Sequence, residues 1–415
     1  MVWKPAGIAR IAGEPNSVIA CRKATSAPAS SAGNASGIVM RRTWTTARRI
    51  TIPLALPALL AGALVAFLQA MTLFGSPAIL AIPAGFHTMT TKIWSLFNYP
   101  PKPELAAAAS VPLLVLTVAL LRAEHLILGR RGYSVVGGKQ GDPRLIRLGA
   151  LKWAALALVF LVLMCPVFLP YGALLNATFS RVATSFVTFD NFTLHNIHFV
   201  FFELSATQLA VKNTFVLGVA SATIGTILAL VIAYLTTRRA IRGYRALGFL
   251  ATAPVAIPGI VLGVGLFLSY ARPPLVLYGT LWILLLAFVT IALPAAYQQL
   301  QSAFRSVHTD LEDASRILGS TRLRTLRDIT APLLRTSVIA TWCFIFVGVI
   351  RELSAAIMLF TSETKVISVL IFDLNESGDL GAISVLGLIM LAITFAVVIA
   401  VNRIPGFGDA RLRNA

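Results

Sequence analysis

Few residues in this chain are of a type and spacing that could do chemistry. Arg351 and Glu352 are adjacent ionisable residues inside the otherwise apolar run from Ser337 to Phe360. Charges within such a run cost free energy in a bilayer and turn toward a bundle interior. They read either as lining or gating residues of a polar path, or as an interfacial pair that snorkels and caps the loop 361–378. Neighbours at i, i+1 do not face each other on a helix, so each needs a partner elsewhere. His195 and His198 stand at i, i+3 near Asp190. Two histidines without a firm third ligand are more often polar loop residues, and no metal site is assigned. Cys21, Cys165 and Cys343 are far apart and suggest neither a thiolate cluster nor a disulfide framework. A Gly-x4-Gly-Lys-Ser/Thr phosphate loop does not occur, so ATP hydrolysis is not expected of this chain. No catalytic residues and no cofactor are expected.

Two further stretches have composition suited to a path. Ala253 to Gly265 reads APVAIPGIVLGVG. Pro254 and Pro258 break helix hydrogen bonding, and Gly259 and Gly263 let another helix approach closely. Either a moving pathway wall or plain tight packing accounts for them. Asp373, Asn375, Glu376 and Asp379 form an acidic segment that attracts a cation or is simply solvated.

The elements that must position these residues centre on Leu311 to Pro332, LEDASRILGSTRLRTLRDITAP, a strongly polar run between apolar ones. Leu311, Ala314, Ile317 and Leu318 recur at helical spacing, so Asp310 to Leu318 is expected as a short amphipathic helix. Gly319 ends it, as a residue free to take positive φ does. A second short helix, about Thr321 to Ile329, leads to Pro332. A helix–Gly–helix between apolar spans is a handle that a soluble partner can grip.

This stretch resembles the EAA loop of bacterial ABC importer permeases. That pattern is Glu-Ala-Ala, three residues, Gly, nine residues, Ile, one residue, Leu-Pro. Asp313, Ala314 and Ser315 stand at the triplet, Gly319 at the glycine, Ile329 at the isoleucine, and Ala331 with Pro332 at the last pair. The resemblance implies a coupling helix (loop 310–332) seated on a separate ATP-hydrolysing subunit. It also implies a periplasmic binding protein as a second partner and the bacterial inner membrane as the location. The Pro-Gly segment with Pro258, Gly259 and Gly263 resembles the corresponding segment of the same superfamily.

Composition agrees. The chain is 57% hydrophobic and 12% charged, with mean hydropathy +0.82, against about a quarter charged in soluble domains. The net charge of +19 sits in loops, where it sets topology, and nothing points to nucleic acid. An all-α, polytopic membrane helix bundle of about eight spans follows: 54–74, 105–121, 148–169, 214–235, 247–270, 277–297, 337–360 and 380–401. With the 310–332 loop in the cytoplasm, Lys and Arg concentrate in the inside loops and both termini fall inside.

Asn34 to Pro53 repeats Asp313 to Pro332 at an offset of 279, with Ala35, Ser36, Ile38, Thr46, Arg48, Ile50, Thr51 and Pro53 identical. Asn34 replaces the acid and Met40 the glycine, so this copy is degenerate. The expected organisation is a disordered leader 1–33, a partial first permease half 34–122 with two spans, a cytoplasmic linker 123–147, a complete six-span half 148–403, and a tail 404–415. A fused permease cut at its amino end explains it. A truncated, nonfunctional remnant is the competing reading.

The fusion and the stretch Arg351 to Leu386 resemble the ferric-iron importer permeases. The thiamine and 2-aminoethylphosphonate permeases are close relatives, and nothing in the composition selects iron.

Overall fold

The computed structural model describes residues 52–97, 101–128, 151–182 and 185–403, with Thr45, Arg48, Arg49 and Gly149. The expected leader 1–33, most of the degenerate repeat 34–53, most of the linker 123–147 and the tail 404–415 lie outside these residues. The chain divides into two compact units, Met1–Ala63 and Leu64–Ala415. The described part of the first is chiefly the beginning of helix α1 (Ile52–Thr72), which continues into the second.

In the second unit the chain runs through α2 (Gly75–Leu80), α3 (Met89–Ser95), α4 (Pro103–Leu128), α5 (Leu151–Leu163) and α6 (Leu169–Phe179). A π turn, Met164–Phe168, joins α5 to α6. Then come α7 (Ser205–Thr237), α8 (Tyr244–Thr252), α9 (Gly259–Tyr270), α10 (Leu281–Ser306) and α11 (Thr309–Ile317). The chain closes with α12 (Ala331–Ile350), α13 (Ala356–Leu359), α14 (Ile367–Ser377) and α15 (Leu380–Asn402).

Among the described residues six helical stretches are long and apolar enough to cross a bilayer: Pro103–Ala123, Leu151–Phe179, Ser205–Thr237, Leu281–Ser306, Leu326–Ile350 and Leu380–Val401. These match six of the eight expected spans, mostly with shifted ends. α1 takes the place of the first expected span, with Gly62–Thr72 as a shorter apolar helix. The fifth is not one straight helix: α8 and α9 meet at 106°. Pro258 disfavours helical backbone at the residue before it, and Ile257 is extended, at φ −105° and ψ 113°. Pro258 also brings no N–H to continue the ladder, so α9 starts afresh at Gly259.

α7 is the spine. Ala210, Leu217, Ala222, Ala229 and Ala233 are fully or almost fully buried along it. Small residues let backbones approach where dispersion, not water, drives association. A Cβ on Gly218 would lie 3.0 Å from the Phe346 ring, and one on Gly225 would lie 3.2 Å from Ile345. α12 thus fits into the small-residue face of α7. Behind both, Ile283, Leu284, Phe288, Leu300 and Phe304 of α10 complete the main core.

The seventh expected span needs correction. Ser337–Phe360 is not a single helix, because α12 ends at Ile350 with Arg351 as its C-cap. Arg351 and Glu352 therefore lie beyond the span, in a turn, and not well inside it. The Glu352 carboxylate accepts the Ala355 N–H at 3.1 Å, and its carbonyl accepts the Ser368 hydroxyl at 2.9 Å. Those bonds fold the chain back on itself, and the apolar Ala355–Leu359 run that looked like continued span is a buried loop with one helical turn.

Candidate functional site

Two places on this scaffold collect the residues singled out from the sequence, one at each end of α12. Its 20 residues separate them by about 30 Å.

The first is the handle. α11 begins at Thr309 and ends at Ile317, and Gly319 takes φ +89°. The second short helix, Arg322–Thr325, passes through a π turn, Leu326–Thr330, straight into α12. The second short helix is thus continuous with a membrane span, whereas α11 joins it through the turn at Gly319.

The fixing contact is one the sequence did not single out. Arg238, the C-cap of α7, places Nη2 2.8 Å and Nε 3.1 Å from Glu312 Oε1. Nη2 also donates to the Val307 carbonyl at 3.1 Å, and the Thr330 hydroxyl donates to Glu312 Oε1 at 3.1 Å. The Arg238 and Glu312 side chains are only 12% and 15% exposed. One carboxylate thereby pins α11 to the end of α7 and to the turn that leads into α12. A second tie joins Ser315 to Thr325, hydroxyl to hydroxyl, at 3.1 Å.

Asp313, which occupies the motif's acidic position, points outward. Its side chain is 64% exposed and its contact with Arg316 is 3.7 Å long. Glu312 and Ser315 are the half-buried residues of α11, while Leu311, Ala314, Ile317 and Leu318 are exposed. The apolar stripe expected from the spacing is present and faces away from the chain, with Ile317 and Leu318 at 86% and 87% exposure. An amphipathic helix that shows its apolar side outward is dressed for a partner. Ile329 is half-buried and Pro332 exposed, both where the handle enters the span.

The second place is at the far end of α12. α9 lies so close to the turn after α12 that a Cβ on Gly259 would be 3.1 Å from Ser354 Cβ and 3.3 Å from Glu352 Oε1. A Cβ on Gly263 would be 2.8 Å from Met358 Cβ. Gly259 and Gly263, which follow Pro258, therefore meet Glu352 and its loop, although nearly 90 residues separate Gly263 from Glu352 in sequence. An open cavity of about 460 Å³ borders this point, lined among others by Gly75, Ser76, Arg351, Glu352, Ser354 and Ser368. The loop is held from behind: the Asn213 amide donates to the Glu363 and Lys365 carbonyls at 3.0 Å, and the Thr214 hydroxyl accepts the Ile367 N–H at 2.8 Å.

The acidic segment is partly used by the fold. Asp373 pairs with Lys365 at 2.6 Å, and Asp379 caps α15 through the Ala382 N–H at 2.9 Å. Partial burial and the Asp373 carboxylate push the Glu376 carboxyl above its ordinary value. His198 contacts Glu203 at 3.0 Å on the surface. Among the described residues no group of three His, Cys, Asp or Glu side chains is placed to hold a metal ion.

A family model described as "Binding-protein-dependent transport system inner membrane component" matches residues 223–414, the stretch that holds the handle and the contact of α9 with the turn at Glu352. A ferric transport system permease protein of Actinobacillus pleuropneumoniae is 26% identical over 88% of this chain and 52% of its own length. A putative 2-aminoethylphosphonate transport system permease protein of Salmonella paratyphi A is 24% identical over 57% of this chain and 88% of its own length. A putative ABC transporter permease protein of Streptomyces antibioticus is 32% identical over 42% of this chain and 74% of its own length. The chain spans about half the length of the ferric relatives it matches. In fold it is similar to a chain in a crystal structure of a bacterial alginate ABC transporter, with TM-score 0.50 and 17% identity over 62% of this chain and 94% of that one. With the spacing of the handle motif kept and a putative ABC transporter permease 32% identical over 74% of its own length, the chain belongs to the ABC transporter permeases.

Proposed function

We propose that this chain is a permease subunit of an importer that moves ferric iron from a periplasmic binding protein to the cytoplasm. The energy comes from ATP hydrolysed on a separate subunit. The observation that carries this reading is the outward apolar face of α11 on a helix clamped to two spans by Glu312. Such a surface transmits force, and its neighbours Asp313, Ala314, Ser315, Gly319, Ile329 and Pro332 shape the seat.

On this reading the handle lies in the bacterial cytoplasm, and the loop 180–204 and the turn at Glu352 lie toward the outside. The basic residues support that orientation: Arg238, Arg239, Arg242 and Arg245 follow α7 on the handle side. Arg351 and Glu352 border the path, with Pro258, Gly259 and Gly263 as its packed wall. Iron as cargo is supported by the 26% identity to the ferric permease. 2-Aminoethylphosphonate stands as the second reading, supported by the match over most of that relative's length.

Uptake by vesicles carrying the assembled system decides between them. Radiolabelled Fe(III), 2-aminoethylphosphonate and thiamine are offered with the corresponding binding proteins. ATP-dependent accumulation of iron alone is expected. Accumulation of either organic solute without iron would remove the iron assignment and leave the importer standing.

A further inference from the structure

Between α7 and the start of α12, on the handle side of the bundle, an open apolar groove of about 760 Å³ runs up to the polar loop. Val231, Leu334, Val338 and Ile339 line it, and Arg327 and Arg335 stand along the same groove. Both arginines are exposed, and among the described residues neither has a carboxylate within 4.0 Å. Val231 is 49% exposed, so the groove opens on the flank of the bundle. The groove is therefore amphipathic along its length. It is apolar toward Val338 and Ile339, and it carries two cations toward the π turn Leu326–Thr330 that precedes α12.

The geometry points to an anionic phospholipid of the bilayer as the occupant of this groove, an acyl chain lying between α7 and α12 and its phosphate held by Arg335 and Arg327. Charge complementarity selects it. A packed helix from another protein would cover the apolar part but would also have to bring carboxylates to two guanidinium groups at one end of the groove. The bilayer surface supplies an apolar chain joined to a negative headgroup at the depth where the groove changes character, and basic pockets between spans suit such headgroups. Arg's planar fork can hold a phosphate through two bonds at once. Arg327 belongs to the turn that joins the handle to α12, so a bound lipid braces that turn from the membrane side. The inference rests on the orientation proposed above only for the choice of leaflet.

The test needs neither ATPase nor transport, so it fails or succeeds apart from the importer reading. The full chain, purified in detergent, is titrated with phosphatidylglycerol and with phosphatidylcholine, and retained lipid is counted by native mass spectrometry. At about 1 kcal/mol per basic residue, two arginines correspond to a preference of about 30-fold for phosphatidylglycerol. Arg327→Gln with Arg335→Gln should reduce that preference below about threefold, whereas Arg327→Lys with Arg335→Lys should keep most of it. Val338→Trp, which fills the groove, should weaken retention of both lipids, and glycerol 3-phosphate, which has no acyl chain, should not compete. Gel filtration confirms that each variant remains folded. Equal retention of the two lipids, an undiminished preference in the double glutamine variant, full competition by glycerol 3-phosphate, or crosslinks from Ile339 to a second polypeptide seated in the groove would each overturn the proposal.

Discussion

Replacing Glu312 by Ala should release the handle. The substitution leaves the Arg238 guanidinium, 12% exposed, without its carboxylate and takes the acceptor from the Thr330 hydroxyl. Breaking a fully buried ion pair costs about 3–5 kcal/mol, mostly because a charge stays buried without a partner. Residual exposure of both side chains and the Val307 carbonyl, which still accepts from Arg238, reduce this to about 2–3 kcal/mol. The cost is local, since α11 can detach while the core formed by α7, α10 and α12 stays packed. Amide hydrogen exchange over 309–317 should then quicken by about 30- to 150-fold, with exchange in α7 and α10 unchanged. Arg238→Met combined with Glu312→Leu should restore much of the protection, because an apolar pair of similar volume does not strand a charge. Asp313→Asn should alter protection by no more than about twofold, because its pair with Arg316 is long and exposed. If Asp313→Asn deprotected α11 as strongly as Glu312→Ala, or if Glu312→Ala left exchange untouched, the assignment of Glu312 as the clamp would be wrong.

Other expectations follow from the same geometry. Ile317→Asp with Leu318→Asp should abolish co-purification of the ATPase while leaving hydrogen exchange in the spans unchanged; retained co-purification would deny the outward face its docking role. Gly263→Ala should cost about 1–3 kcal/mol through overpacking against Met358, and Met358→Ala in the same chain should recover part of it, read from thermal unfolding in detergent. Glu352→Gln should slow uptake without changing ATPase co-purification, since Glu352 lies about 30 Å from the handle; equal loss of both would contradict the division into two places. Single cysteines at Ser185 and Ser320, in a chain lacking its native cysteines, should label from opposite sides of the membrane, and labelling of Ser320 from outside would invert the proposed orientation.

The main departure from the sequence reading has a physical cause. Arg351 and Glu352 looked intramembrane because the run Ser337–Phe360 stays apolar on both sides of them. Hydropathy measures what a segment avoids, which is water, and a loop buried in protein avoids water as well as a span does. Ala355–Leu359 is such a loop, covered in part by α9. The α11 stripe was legible as a periodicity, but periodicity has no sign: it separates an apolar face from a polar one without saying which meets the chain's own core.

What the sequence determined by itself is what local chemistry governs. Apolar runs of about 20 residues become helices because backbone polar groups in a bilayer must bond within their own segment. The break between α8 and α9 follows from the missing N–H and steric demand of Pro258, and the end of the first handle helix at Gly319 from its freedom at φ +89°. Only the tertiary structure chose Glu312 over Asp313 as the acid that holds the handle. Its partner, Arg238, stands 74 residues away, and neither the motif nor the helical period of α11 contains that distance. Likewise Gly259 and Glu352 became neighbours only when α9 settled on the turn after α12. Backbone preference and partition from water act along the chain and can be read there, whereas the pairing of a charge with its counter-charge depends on how finished helices pack.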